Sequence, residues 1–179
     1  MPYIFARNPN TIAMSHQNAF EDFATHNIKF LVLDVDGVMT DGGMYYTESG
    51  DQFKKFNTKD GMAIKAILEK GYQVAFLSSG STEHIIQNRA KTLGVERVYV
   101  GSRPKLQVLN EWCRELDLTM ENVAYVGDDI NDLEVMDAVG FSGCPADAVE
   151  AIQLKANVVL NRKGGDACVR EFVDEHLLD

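Results

Sequence analysis

The stretch Lys29-Phe-Leu-Val-Leu-Asp34-Val-Asp36-Gly37 decides how the rest of the chain is read. A short, wholly apolar run that ends in carboxylates is what a buried parallel strand looks like when it delivers its last residues to a sheet edge. Alternating strand geometry would send Asp34 and Asp36 to the same side. Two carboxylates so placed repel each other unless a cation lies between them.

Outward from this strand the chain alternates strands and helices. Met44 to Phe56, with a Gly50-Asp51 turn, reads as a β-hairpin. Asp60 is placed to cap a helix that runs to Lys70 and stops at Gly71. Val74–Leu77 is a second buried strand, and Thr82 to Leu93 a helix closed by Gly94. Val98–Val100 is a strand, after which Pro104 opens a helix whose apolar face is Leu106, Leu109, Cys113 and Leu116. Val123–Val126 and Val158–Leu160 are further strands, Asp132 to Ala138 is a helix, and Asp166 caps a last helix. This order predicts an α/β fold: one doubly wound, Rossmann-like parallel sheet over residues 28–179, with a projecting β-hairpin and no cap domain. Residues 1–27 are expected to form an N-terminal extension, with a short helix from about Ser15 to Thr25.

Composition narrows the function classes. The 179 residues carry 17 Lys and Arg against 27 Asp and Glu, a net charge of −10, which disfavours nucleic acid as a partner. No apolar run reaches the ~20 residues of a membrane helix, and no signal-peptide pattern opens the chain. Cys113, Cys144 and Cys168 are odd in number and widely spaced, as expected of reduced thiols in a cytoplasmic protein.

Ligands of doubly wound sheets bind beyond the carboxyl ends of the strands. Asp34-Val-Asp36-Gly37, Ser78-Ser79-Gly80 and Gly127-Asp128-Asp129-Ile-Asn-Asp132 fall at such ends, and Lys105 lies just inside the helix after another. Each alone is ordinary: a lone Asp-x-Asp is usually a loop or a cap, and a lone lysine a solvated helix residue. Their order, each after a separate strand, is not ordinary. Oxygen ligands without nitrogen partners suit Mg²⁺. Lys105 and the Ser79 hydroxyl suit phosphate oxygens, and Gly37 and Gly80 allow close approach of backbone N–H groups to an anion.

These four motifs resemble those of the haloacid-dehalogenase phosphatase superfamily. Thr40-Asp-Gly-Gly, Phe56-Asn-Thr-Lys-Asp60-Gly, Val123-Ala-Tyr-Val-Gly-Asp-Asp and Gly164-Gly-Asp-Ala-Cys-Val-Arg170-Glu are similar to its capless branch acting on 3-deoxy-ulosonic acid phosphates, over about Ile28 to Leu177. The resemblance implies a phosphatase of surface-sugar or lipopolysaccharide biosynthesis. Its substrate would be 3-deoxy-D-manno-octulosonate 8-phosphate or a nine-carbon 9-phosphate analogue, and its assembly a homo-tetramer. It implies Asp34 as nucleophile and Asp36 as general acid and base. Mg²⁺ would sit on Asp34, the Asp36 carbonyl and Asp128, with Asp129 and Asp132 behind, and Ser79 and Lys105 would bind the phosphoryl group. Gly80, Ser81, Asp60, Arg89 and Arg170 are the candidates for contact with the sugar acid. The octulosonate enzymes usually carry Arg after the Thr/Ser-Gly pair and nine-carbon relatives often Glu; here that position is Ser81.

Three rival readings are a phosphatase of another small sugar phosphate, a non-catalytic oligomerisation module beside a sugar-activating enzyme, and a signalling receiver domain. Intact Asp34 and Asp36 speak against the second. A receiver's acceptor Asp stands on a later strand than its acidic pair, which speaks against the third.

Overall fold

The computed structural model describes residues 27–178; the extension and its expected helix over Ser15 to Thr25 lie outside them, apart from Asn27. A six-stranded sheet, all parallel, runs in the order β5-β4-β1-β6-β7-β8. Its strands are β1 (Phe30–Leu33), β4 (Gln73–Ser78), β5 (Arg97–Val100), β6 (Val123–Val126), β7 (Phe141–Cys144) and β8 (Val158–Val159). β2 (Tyr45–Tyr46) and β3 (Gln52–Phe53) make the separate antiparallel hairpin. The helices are α1 (Thr58–Glu69), α2 (Glu83–Leu93), α3 (Lys105–Glu115), α4 (Leu133–Ala138), α5 (Glu150–Gln153) and α6 (Cys168–His176). Only the hairpin and α1 lie between β1 and β4, and only α3 and a short turn between β5 and β6, so no cap domain interrupts the sheet.

β1 is apolar at every position because both faces of the sheet are covered. Leu31 and Leu33, with Phe76 and Val126, pack against Ile64 and Ile67 of α1, Ile86 of α2 and Phe172 of α6. Phe30 and Val32, with Leu77 and Tyr125, pack against Val108 and Leu109 of α3 and Met136 of α4. Leu33 pairs with Phe76 on one side and Val126 on the other. β1 and β6 therefore end level and β4 runs two residues further, to Ser78, so that the chemistry after each is delivered to one edge.

Sequence reading missed β7 and α5. Phe141-Ser-Gly-Cys144 lacks a β-branched residue, and it is long-range pairing with β6 and β8 that makes it a strand. Two caps are corrected. Asn57, not Asp60, caps α1, its Oδ1 accepting the Lys59 N–H at 2.9 Å. Asp166 does not cap α6; that helix begins after Ala167, which stands at φ 66°. Asp60 takes the role instead, its Oδ1 accepting the Arg170 N–H at 2.8 Å across 110 residues of chain. A cap reached from another helix leaves no sign in the local pattern.

Asp60 is 1% exposed, and its Oδ2 has no hydrogen-bond partner. Burial pushes its carboxyl up to about 6, the Arg170 N–H and the Arg89 charge offsetting only part of this. A group whose folded pKa is raised contributes stability below its unfolded pKa and loses it as pH rises through the folded value. Asp60 thus withdraws on the order of 2–3 kcal/mol between pH 4 and pH 7. Asp60→Asn keeps the acceptor and removes the charge. In urea unfolding it should gain stability relative to the parent chain from pH 5 to pH 8; a difference independent of pH would contradict the assignment.

Candidate active site

Strand β1 stops at Leu33, and the chain leaves it in an irregular loop, Val35–Met39, in which Gly37 takes φ 86°. A Cβ on Gly37 would sit 1.9 Å from Asp128 Oδ2, so only glycine lets the two acidic loops close on each other. Gly164 seats the C-terminal segment on the same loop: a Cβ there would meet the Gly37 carbonyl oxygen at 1.9 Å. Asp34 and Asp36 do share one cavity, as expected, but by this loop rather than by strand alternation. The cavity, of about 230 Å³, is lined by Asp34, Asp36, Gly37, Gly42, Ser78, Ser79, Gly80, Asp128, Asp129 and Asn131.

Lys105, first residue of α3, is buried beneath it. Its Nζ lies 2.9 Å from Asp34 Oδ1, 2.6 Å from Asp132 Oδ1 and 3.3 Å from the Tyr125 hydroxyl. Burial pulls its pKa down, but Asp34 and Asp132 together outweigh that, and the net shift is upward, so Lys105 is a cation. Asp132 is fully engaged. Its Oδ1 also accepts from Tyr125 at 2.6 Å, and its Oδ2 takes the N–H groups of Asp128 and Asp129 at 2.9 and 3.3 Å. It ties the Gly127-Asp-Asp loop to Lys105 and has little capacity left for a ligand.

Carboxylate oxygens of Asp34, Asp128 and Asp132 lie within 4.8 Å of one another. Burial, then mutual charge, raises the pKa of Asp128, and burial likewise raises that of Asp34 despite Lys105. Asp128 Oδ1 is buried with no hydrogen-bond partner. A buried, unpartnered carboxylate oxygen facing a second carboxylate is a fitting ligand set for a hard divalent cation. Asp129 also lines the cavity, with its Oδ1 taken up by the Ile130 N–H at 2.7 Å.

The expected phosphoryl contacts are only partly where they were looked for. Ser79 lines the cavity but is exposed, its Oγ 3.3 Å from Asn131 Nδ2. Ser78, the last residue of β4, is the buried hydroxyl, and its Oγ accepts the Gly80 N–H at 3.0 Å. Of the proposed sugar contacts, Gly80 lines the cavity and Ser81, Asp60, Arg89 and Arg170 do not. Arg89 donates to the Asn57 carbonyl at 3.0 Å and stacks over Phe56, and Arg170 Nε pairs with Asp174 at 2.5 Å.

Sequence reading also missed Tyr125 and Lys54. A tyrosine inside an aliphatic strand does hint at a buried partner for its hydroxyl. Lys54, whose ammonium meets Asp36 Oδ1, sits in an unremarkable Lys-Lys pair and could be found only in three dimensions.

Residues 57–140 match the haloacid dehalogenase-like hydrolase family. The chain is 40% identical over 152 residues to 3-deoxy-D-manno-octulosonate 8-phosphate phosphatase KdsC of Escherichia coli (strain K12), covering 85% of this chain and 80% of that protein. The phosphatase of that name from Yersinia pestis superposes with a TM-score of 0.85 at 38% identity, covering 89% of this chain and 85% of that one. The Moraxella catarrhalis phosphatase, in complex with magnesium, phosphate and KDO, also gives 0.85, at 28% identity over 89% of this chain and 91% of its own. With its acidic motifs at one sheet edge and no cap inserted, the chain belongs to the 3-deoxy-D-manno-octulosonate 8-phosphate phosphatases, a capless branch of the haloacid-dehalogenase-like hydrolases.

Proposed function

We propose that this chain hydrolyses 3-deoxy-D-manno-octulosonate 8-phosphate to the free sugar acid and phosphate through an aspartyl-phosphate on Asp34. The observation that carries the reading is Asp34 itself: a buried carboxylate at the cavity floor, held by Lys105 at 2.9 Å, with Asp36 beside it. A carboxylate nucleophile divides the hydrolysis into two easier displacements. In the first, a carboxylate oxygen of Asp34 bonds to phosphorus, the ester P–O bond breaks, and the leaving oxygen takes a proton from Asp36. In the second, water attacks phosphorus, Asp36 accepts its proton, and phosphate leaves Asp34. Lys105 offsets charge on the phosphoryl group while it holds the nucleophile. Ser79 and the N–H groups near Gly80 bind phosphoryl oxygens, with the Ser78 hydroxyl available at the same wall.

The acidic set supports Mg²⁺, held by the Asp34 and Asp128 carboxylates with the Asp36 carbonyl. Asp132 acts behind them through its hydrogen bonds to the loop. Mg²⁺, when bound, neutralises part of the negative charge gathered on these groups and on the phosphate. The buried, unpaired thiols of Cys113, Cys144 and Cys168 support a reducing, cytoplasmic setting. No helix of the described residues is long and apolar enough to cross a membrane.

A nine-carbon 9-phosphate is the second reading, favoured by Ser81 where the octulosonate enzymes usually carry Arg. Arg89 donates to a backbone carbonyl and Arg170 pairs at the surface with Asp174, and neither lines this cavity, so within one chain the sugar carboxylate would be met by groups beyond its wall. The hairpin is the candidate for supplying them through assembly. Met44, Tyr46 and Phe53 are 66%, 55% and 53% exposed, more apolar surface than a solvated two-stranded hairpin keeps. A homo-tetramer that pairs hairpins would cover these side chains and close the open face of each site.

Three outcomes are expected. Asp34→Asn forms no phosphoenzyme and loses turnover, and beryllium fluoride together with Mg²⁺ labels Asp34 in the parent chain; EDTA abolishes activity and Mg²⁺ restores it. Label on another aspartate, or full activity after metal removal, would refute the mechanism. Second, kcat/KM for the eight-carbon 8-phosphate exceeds that for the nine-carbon 9-phosphate and for glucose 6-phosphate. A preference for glucose 6-phosphate would end the sugar-acid reading, and one for the nine-carbon ester would move it to the second. Third, light scattering gives about four times the 19.9 kDa chain mass, whereas a fully active monomer would remove the need for a neighbour.

A further inference from the structure

Lys54 departs from its surroundings. It follows β3 in a segment that is otherwise open: Phe53 is 53% exposed, and the Lys55 side chain 64%. The Lys54 side chain is only 7% exposed, and its ammonium ends on Asp36 Oδ1. The other oxygen, Asp36 Oδ2, points toward Gly80, where a Cβ would meet it at 3.0 Å, and Gly80 lines the cavity. Burying a lysine stem and charge has a cost that is recovered here by one charge-assisted hydrogen bond.

The geometry points to Lys54 as a positioning residue for Asp36, an inference that rests on the proposed role of Asp36 as proton donor. The Asp36 side chain is 36% exposed, and among the described residues Lys54 is the side-chain hydrogen-bond partner of its carboxyl. Lys54 occupies Oδ1 and so assigns Oδ2 to the cavity, where it meets the leaving ester oxygen. The transfer itself is unchanged: the P–O bond breaks, its electron pair stays on the ester oxygen, and that oxygen takes the proton from Asp36 Oδ2. Lys54 contributes orientation, and misplacement by about 1 Å can cost on the order of 10²-fold in rate. Because Lys54 belongs to the hairpin segment, the inference also makes proton transfer depend on how that segment is seated.

The test is single-turnover release of the leaving group at saturating Mg²⁺, which isolates the first displacement. Two esters are compared: 3-deoxy-D-manno-octulosonate 8-phosphate, whose alkoxide needs a proton, and p-nitrophenyl phosphate, whose phenolate leaves without one. Lys54→Met should slow the sugar ester about 10–100-fold more than the aryl ester. Lys54→Arg should recover most of that difference, and in an Asp36→Asn background Lys54→Met should change the ratio no further. Lys54→Gln replaces Lys54→Met if the latter does not fold. Equal losses on both esters, additive losses in the Asp36→Asn background, or a raised KM at unchanged kcat would each overturn the inference. Those results leave the Asp34 chemistry standing; a phosphoenzyme in Asp34→Asn would instead bring down the proposed function.

Discussion

One buried cation holds the site together. Lys105 lies within 2.9 Å of Asp34 and 2.6 Å of Asp132, yet Asp128 completes a cluster of three carboxylates against that single charge. At an effective dielectric constant of about 20, two like charges some 5 Å apart repel by roughly 3 kcal/mol. The protein tolerates this because Asp132 is saturated by Lys105, Tyr125 and two backbone N–H groups and Asp34 shares the same lysine, which leaves Asp128, with its unpartnered Oδ1, as the least compensated of the three. The imbalance is the site's chemical capacity: it calls for a divalent cation, and the cation in turn makes room for a phosphate in a chain of net charge −10.

The sheet serves that arrangement. The parallel carboxyl ends of β1, β4 and β6 bring Asp34, Ser78 and Gly127 to one edge, and the pairing register keeps them there. Tyr125 links the layers, its ring buried with Phe30 and Val32 and its hydroxyl on Asp132. From the C-terminal end, Asp60 ties α1 to the start of α6, and Gly164 lets the segment before α6 rest on the Val35–Met39 loop. The face above the cavity stays open toward the hairpin, and the hairpin reaches the chemistry through Lys54.

How much of this could be read from the sequence depended on distance along the chain. The strand Phe30–Leu33, the helix ending at Gly94 and the start of α3 after Pro104 are local patterns of apolar periodicity, αL glycine and fixed proline φ, and they stand as read. Strand β7 was invisible because its sheet partners, not its side chains, make it a strand. Asp60 was mistaken for the cap of its own helix because the N–H it accepts belongs to residue 170.

The sequence by itself determined which groups meet, because carboxylates, hydroxyl and lysine placed after successive parallel strands arrive at one edge of the sheet, and the resemblance of those motifs to the haloacid-dehalogenase phosphatases implied the reaction class. Tertiary structure alone decided the division of labour among them. It made Asp132 a brace between the Gly127-Asp-Asp loop and Lys105, put the buried hydroxyl on Ser78, turned Arg89 to the Asn57 carbonyl and set Lys54 on Asp36. Residue type and spacing say which groups can arrive at an edge; which oxygen faces which donor is a matter of a few ångströms between segments far apart in the chain, and only packing fixes that.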